Sequence, residues 1–174
     1  MSDRHVANLY FLRHGDAGDA AAWRGDDFDR PLSDEGRERI ALEAHAIKRL
    51  DLALDCIITS PLVRARQTAT IVADALQIRD TLVEDERLGP NFGLEGLANI
   101  LDFRPKATSV MLVGHEPSLS ATVGRLIGGA ALDFKKGSLA RVHISDTFGL
   151  NGELMWLIPP KVLLLGSALK STED

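Results

Sequence analysis

A single cysteine among 174 residues cannot close an intramolecular disulfide. Cys56 stands in the apolar run Cys56-Ile57-Ile58, the setting of a reduced, buried thiol, so a disulfide-stapled scaffold is excluded. Basic runs are absent too: 25 acidic against 20 basic residues leave a formal charge of −5, and nucleic acid is not an expected partner. Long hydrophobic stretches are also missing. The most apolar segment near the end, Val162-Leu163-Leu164-Leu165, is far shorter than the roughly 20 residues a membrane-spanning helix requires. Met1-Ser2-Asp3-Arg4-His5 carries an acid before any apolar stretch and lacks a signal-peptide core, which predicts a cytoplasmic protein. No repeat, low-complexity tract or Pro- or Ser-rich linker interrupts the chain. What remains is an ordinary globular composition, 45% hydrophobic and 26% charged, and it predicts one domain over 1–174 with flexible ends at 1–6 and 167–174.

Three times along the chain a short apolar run stops at a polar loop and a helix follows. Leu9-Tyr10-Phe11-Leu12 runs into Arg13-His14-Gly15, and after an acidic loop Ser33 is the candidate N-cap of a helix reaching about Leu50. Ile40, Ala44, Ile47 and Leu50 form its expected buried stripe. Cys56-Ile57-Ile58-Thr59 leads into Ser60-Pro61, where Pro is expected at the first position of a helix continuing through Leu76. Val110-Met111-Leu112-Val113 ends in Gly114-His115-Glu116-Pro117, and the next helix stops at Gly128-Gly129. Ser138 to Ile144 and Glu153 to Ile158 then read as strands with no helix between them, so part of the sheet is antiparallel, and Thr81 to Glu84 reads as an edge strand. The pattern predicts a layered α/β fold with helices on both sheet faces, whose ligands gather beyond the carboxyl ends of the strands.

Those strand ends deliver Arg13 and His14, then Arg64, then His115. Guanidinium groups donate paired hydrogen bonds to phosphate oxygens and stay charged at any working pH. A neutral imidazole can attack phosphorus, and a second imidazole, if protonated, adds a cationic donor to the phosphoryl oxygens. The charge of Arg13 favours a neutral His14 near neutrality and equally opposes protonation of His115, so bound phosphate is expected to draw a proton onto His115. Positioning and charge are most of what phosphoryl transfer requires.

Arg13-His14-Gly15, Ser60-Pro61-x-x-Arg64-Ala65-x-Gln67-Thr68 and Gly114-His115-Glu116-Pro117, in that order, resemble the histidine phosphatase superfamily. Asp29-Arg30-Pro31-Leu32-Ser33-x-x-Gly36 and Lys136-Gly137-Ser138-Leu139-Ala140 resemble its short bacterial members, the SixA-type phosphohistidine phosphatases. The resemblance implies a three-layer α/β/α sandwich of phosphoglycerate mutase-like type around a mostly parallel mixed sheet. It also implies His14 as covalent nucleophile, Arg13, Arg64 and His115 as the phosphate pocket, and neither metal nor cofactor. The implied partners are a phosphorylated protein or a small phosphorylated substrate, with inorganic phosphate as product.

Phosphomonoesterases and mutases of the superfamily carry an acidic proton donor as Leu-x-Glu, where this chain reads Arg87-Leu88-Gly89-Pro90-Asn91. A donor would have to come from Glu86, Glu95 or Asp16, or be dispensable. An alkoxide leaves poorly without a proton, its parent resembling water with a pKa of about 15.7. A phosphohistidine differs, because imidazole has a conjugate acid of pKa about 6.5 and can leave neutral with a proton from solvent. The missing acid therefore favours protein phosphohistidine over small phosphomonoesters, as does the absence of a long insertion over the Gly89 to Leu97 segment. A non-catalytic phosphate-binding module is the third reading of the same cationic cluster.

Competing motifs fail on spacing. Leu62 stands six residues after Cys56, where a cysteine phosphatase loop needs arginine, and Gly89, Gly93 and Gly96 fit neither nucleotide-binding glycine template. His115-Glu116 lacks the second histidine of a zinc protease, and His5, His45 and His143 have no ligand-like spacing. Arg66 lies off the helix face of Arg64. Trp23 and Arg24, with Lys135 and Lys136, are candidates for a rim that meets a protein partner.

Overall fold

The computed structural model describes residues 6–146 and 149–168. Its elements in chain order are β1 (Asn8–Arg13), α1 (Asp34–Arg49), β2 (Cys56–Thr59), α2 (Val63–Leu76), β3 (Leu82–Glu84), α3 (Leu94–Asp102), β4 (Ser109–Gly114), α4 (Ser118–Leu126), β5 (Leu139–Asp146), β6 (Asn151–Ile158) and α5 (Pro160–Ala168). One sheet holds all six strands in the order β3-β2-β4-β1-β5-β6. The first four run parallel, and β5 and β6 form the antiparallel edge.

Strand alternation sorts the core into two layers, since successive side chains point to opposite faces. Tyr10 and Leu12 of β1 pack with Ile57, Met111 and Leu139 beneath α1, α2 and α5. Leu9 and Phe11 turn the other way, to Ile58, Val110 and Leu112 beneath α3 and α4. Burial on both faces explains why these strands read as continuous apolar runs.

Ser33 caps α1, its side chain accepting from Gly36 N. Leu50 departs from the expected stripe: it takes a tighter bond to Ile47 O as the helix ends and is left exposed, while Gly36, Ile40, Glu43, Ala44 and Ile47 are buried. Nor does α2 begin at Ser60-Pro61. Leu62 is still extended, and the Ser60 hydroxyl accepts from Leu62 N, which delays the helix to Val63. Pro159-Pro160 closes β6 as expected, yet Pro160 also opens α5, where its missing N–H costs no helical bond. The flexible ends expected at 1–6 and 167–174 lie outside the described residues, except for Val6, which is packed in the core, and 167–168, which finish α5.

The register matters for the site. Arg13 of β1 lies opposite Gly114 of β4, and Val113 of β4 lies opposite Thr59 of β2. Three neighbouring parallel strands therefore end level, and the loops after them leave the sheet at one place.

Candidate active site

Backbone bonds knit those three strand ends together. His14 N donates to Gly114 O at 3.1 Å and Ser60 N to Val113 O at 3.0 Å. The loop after β1 is then held from α2: Gly15 N donates to Thr68 Oγ1 at 3.1 Å, Thr68 Oγ1 donates to Arg64 O at 2.8 Å, and Gln67 Oε1 accepts from Leu32 N at 2.8 Å. Gln67 and Thr68 thus serve as struts for the loop. Two glycines let α1 close on it, because a methyl group on Gly15 would collide with Ile40 and one on Gly36 with the carbonyl oxygen of Asp16.

Arg13, His14, Arg64 and His115 all line one cavity of about 270 Å³, together with Ala17, Gly18, Ala20, Arg30, Glu116 and Lys136. A larger hollow of about 630 Å³ lies beside it and shares Arg13 and Lys136, but it contains neither histidine. The chemistry-bearing groups belong to the smaller one.

His14 is buried, with Nδ1 2.7 Å from Gly15 O. A carbonyl only accepts, so Nδ1 carries the proton and Nε2 keeps its lone pair. Arg64 Nε approaches that Nε2 at 3.3 Å. Burial first, then the charges of its neighbours, push the pKa of His14 down to about 3. The ring of His115 lies 5.0 Å from that of His14, centroid to centroid, and its Nε2 is 2.8 Å from Ser60 Oγ. Burial and the Arg64 charge lower the pKa of His115 to about 4. Both imidazoles are therefore neutral in the free protein at pH 7. Arg13 donates from NH1 to Phe134 O at 2.7 Å, while its buried Nε has no partner among the described residues.

Two further residues at the site, one on the cavity wall and one behind it, are not among the expected site groups or lie only within a quoted motif. Arg30 lines the wall and donates to Ala17 O at 3.0 Å. Behind it, Asp27 accepts from Arg30 Nε at 2.8 Å and from Arg64 NH2 at 2.9 Å, and its backbone oxygen accepts from Arg64 NH1 at 2.7 Å. Nothing in the spacing of Asp26-Asp27-Phe28-Asp29 singles out the second acid; only the fold of the 18–30 loop does.

The candidate proton donors lie elsewhere or are ionised. Glu86 and Glu95 line a separate hollow of about 520 Å³. Asp16 accepts from Lys136, from Ser33 Oγ at 3.0 Å and from Gly18 N at 3.1 Å, and the Lys136 hydrogen bond leads in holding its carboxyl down to about 2. It braces the loop. Glu116 does line the cavity, with Oε1 capping α4 through Ser120 N at 2.9 Å. The Gly89 to Leu97 segment contributes no wall. Of the remaining residues weighed from sequence, His45 and His143 are exposed, His5 lies outside the described residues, and Cys56 is buried, which raises its thiol pKa. Trp23 is exposed, Lys135 pairs with Asp133, and Arg66 pairs with Glu84 away from the cavity. No group of three His, Cys, Asp or Glu side chains among the described residues is arranged to hold a metal ion, and none of their helices is long and apolar enough to cross a membrane.

Comparison with known proteins gives the family and the fold. The family model of the histidine phosphatase superfamily (branch 1) matches residues 9–94. An uncharacterized protein of Picosynechococcus sp. is 34% identical over 165 residues, spanning 87% of this chain and 99% of that protein. The chain belongs to the histidine phosphatase superfamily. Within it, phosphohistidine phosphatase SixA of Escherichia coli K12 is 27% identical, over 92% of this chain and 99% of SixA. The structure of the protein histidine phosphatase SixA in complex with tungstate superposes with a TM-score of 0.77 at 26% identity, covering 88% of this chain and 97% of that one. The chain is thus a SixA-type member with the phosphoglycerate mutase-like α/β/α sandwich of this superfamily, and its membership and SixA likeness together support phosphatase function.

Proposed function

We propose that this histidine phosphatase dephosphorylates phosphohistidine on a protein through a covalent intermediate on His14, without a metal ion. The observation that carries the reading is the state of His14: its Nδ1–H is committed to Gly15 O, leaving Nε2 unprotonated on the wall of a cavity ringed by Arg13, Arg30 and Arg64. In the first step Nε2 attacks phosphorus, the phosphorus–nitrogen bond of the substrate breaks, and the departing imidazole takes a proton from solvent. Water then attacks the phosphorylated His14, releasing inorganic phosphate and returning the neutral ring. The arginines supply the positive charge that a metal supplies elsewhere.

The choice of phosphohistidine over an ester rests on the acids. Glu86 and Glu95 are outside the cavity, Asp16 and Asp27 are held ionised by cationic partners, and Glu116, the one acid among the described residues on the cavity wall, accepts from Ser120 N through Oε1. A leaving imidazole needs none of them, whereas an alkoxide does.

The test is to incubate the chain, with chelator present, with a phosphorus-labelled phosphohistidine protein and, in parallel, with a sugar phosphate. Acid-labile label on His14 and released phosphate are expected from the first, and His14→Ala abolishes both. Faster cleavage of the ester would transfer the assignment to small phosphomonoesters. Binding without label or release would leave a phosphate-binding module.

A further inference from the structure

Arg64 has three kinds of nitrogen and each is engaged. Nε faces His14 Nε2 at 3.3 Å, NH1 donates to the Asp27 carbonyl at 2.7 Å, and NH2 donates to Asp27 Oδ2 at 2.9 Å. The other oxygen of the same carboxylate, Oδ1, takes Arg30 Nε at 2.8 Å. One acid on the 18–30 loop therefore grips two arginines of the cavity wall. A guanidinium is planar, so bonds to both of its terminal nitrogens fix the plane and with it the direction of Nε.

We infer that Asp27 is a positioning residue: it acts through Arg64, fixing the guanidinium so that its Nε faces the attacking nitrogen of His14. This rests on the proposed transfer to His14 and adds a residue to it. Two alternatives are separable by their geometry. A stability role fits less well, because the Asp27 end of the pair is 57% exposed, and since Arg64 at the other end is buried at 7%, such a role would make affinity and rate fall together. An internal anion occupying the phosphate position is a poor fit too, because Arg30 and Arg64 line the cavity and Asp27 does not.

The arrangement has an unusual consequence in sign. Asp27 brings a negative charge close to a site for a dianion, so its charge opposes phosphate binding while its hydrogen bonds organise the catalytic arginine. The charged and titratable groups facing the site are Arg13, Arg30, Arg64 and Lys136 on the cationic side, Glu116 on the other, and the two neutral histidines. Removing the carboxylate charge should leave phosphate affinity the same or higher while slowing transfer. Loss of local structure would lower both.

The experiment uses the full chain. Asp27→Asn keeps the shape and one acceptor oxygen. It is compared with wild type for inorganic phosphate affinity by calorimetry and for the rate of labelled phosphoenzyme formation in a single turnover, and then on an Arg64→Lys background. The expected result is phosphate affinity equal to or above wild type, a transfer rate about tenfold or more lower, and less than a twofold further loss when the change is made in Arg64→Lys, since two residues acting as a unit are not additive. An unchanged transfer rate, affinity and rate falling together, or additive losses on the Arg64→Lys background would each overturn the inference. A gain in both affinity and rate would overturn it in favour of an internal competing anion. Should wild type itself form no phosphoenzyme, it is the proposed function that fails.

Discussion

Arg64 Nε points at His14 Nε2 across 3.3 Å, so the arginine proposed to bind phosphate also touches the lone pair proposed to attack it. A donor on that lone pair orients the ring in the free protein, and in the proposed transfer it must yield as phosphorus arrives, the guanidinium held by Asp27 then meeting a phosphoryl oxygen through the same Nε–H. Lysine keeps the charge but not the planar fork. Arg64→Lys is therefore expected to lower phosphoenzyme formation by roughly 100-fold, about 2.7 kcal/mol, with the thermal midpoint little changed. A rate within threefold of wild type would show that charge alone suffices.

The two histidines predict the shape of the activity profile. Burial leads in pushing His14 to about 3 and His115 to about 4, so neither gains a proton in the free protein between pH 5 and 8. The rate of phosphoenzyme formation at low substrate, corrected for ionisation of the substrate, should be flat across that range. The proton that phosphate was expected to draw onto His115 would then appear only in the bound state, as proton uptake in calorimetry run in buffers of different ionisation enthalpy. A free-enzyme pKa near the ordinary histidine value of about 6.5 would mean that the site is more hydrated than its burial indicates.

Thr68 links α2 to the loop that carries His14 through Gly15 N. Thr68→Val keeps the volume and removes the acceptor, leaving a buried backbone N–H unpaired. The expected cost is about 1–3 kcal/mol of folding stability by urea denaturation, accompanied by slower transfer. Equal stability of the two proteins would show that water replaces the hydroxyl.

The three strand ends were legible in the sequence because strands buried on both faces must be apolar throughout, and a polar Arg-His-Gly or Gly-His-Glu at the end of such a run is conspicuous. Ser33 was legible because capping uses short polar side chains. Asp27 was not, since its role depends on where a 13-residue loop, 18–30, folds back, and a loop has no period to read. The helix α5 was missed because two prolines signal a stop more loudly than the second one signals a start. Glu43 was missed because an acid at a core-facing position of α1 violates the polar-out pattern on which the stripe was built.

That violation carries the last prediction. Glu43 is 1% exposed, Oε1 accepts from Arg39 Nε at 3.2 Å, and Oε2 is packed against Gly137 with no hydrogen-bond partner among the described residues. Burial raises its pKa from 4.5 to about 7. Between those values the folded protein holds a proton that the unfolded chain has lost, so Glu43 contributes stability at low pH that is lost as pH rises to about 7. The buried histidines act in the opposite direction. Their folded pKa values of about 3 and 4 lie below the unfolded value of 6.5, so the unfolded chain binds more protons and stability falls as pH drops below 6.5. Each proton difference is worth about 1.4 kcal/mol per pH unit. Two histidines outweigh one carboxyl between pH 5 and 6, and near pH 7 the unfolded histidines and the folded carboxyl hold about equal numbers of protons, so stability rises to a plateau at about pH 7. Glu43→Gln should steepen the acid limb about twofold and leave the plateau above pH 7 flat, as read from urea midpoints at pH 5, 6, 7 and 8. Parallel profiles for the two proteins would show that the Glu43 carboxyl titrates as it does in the unfolded chain.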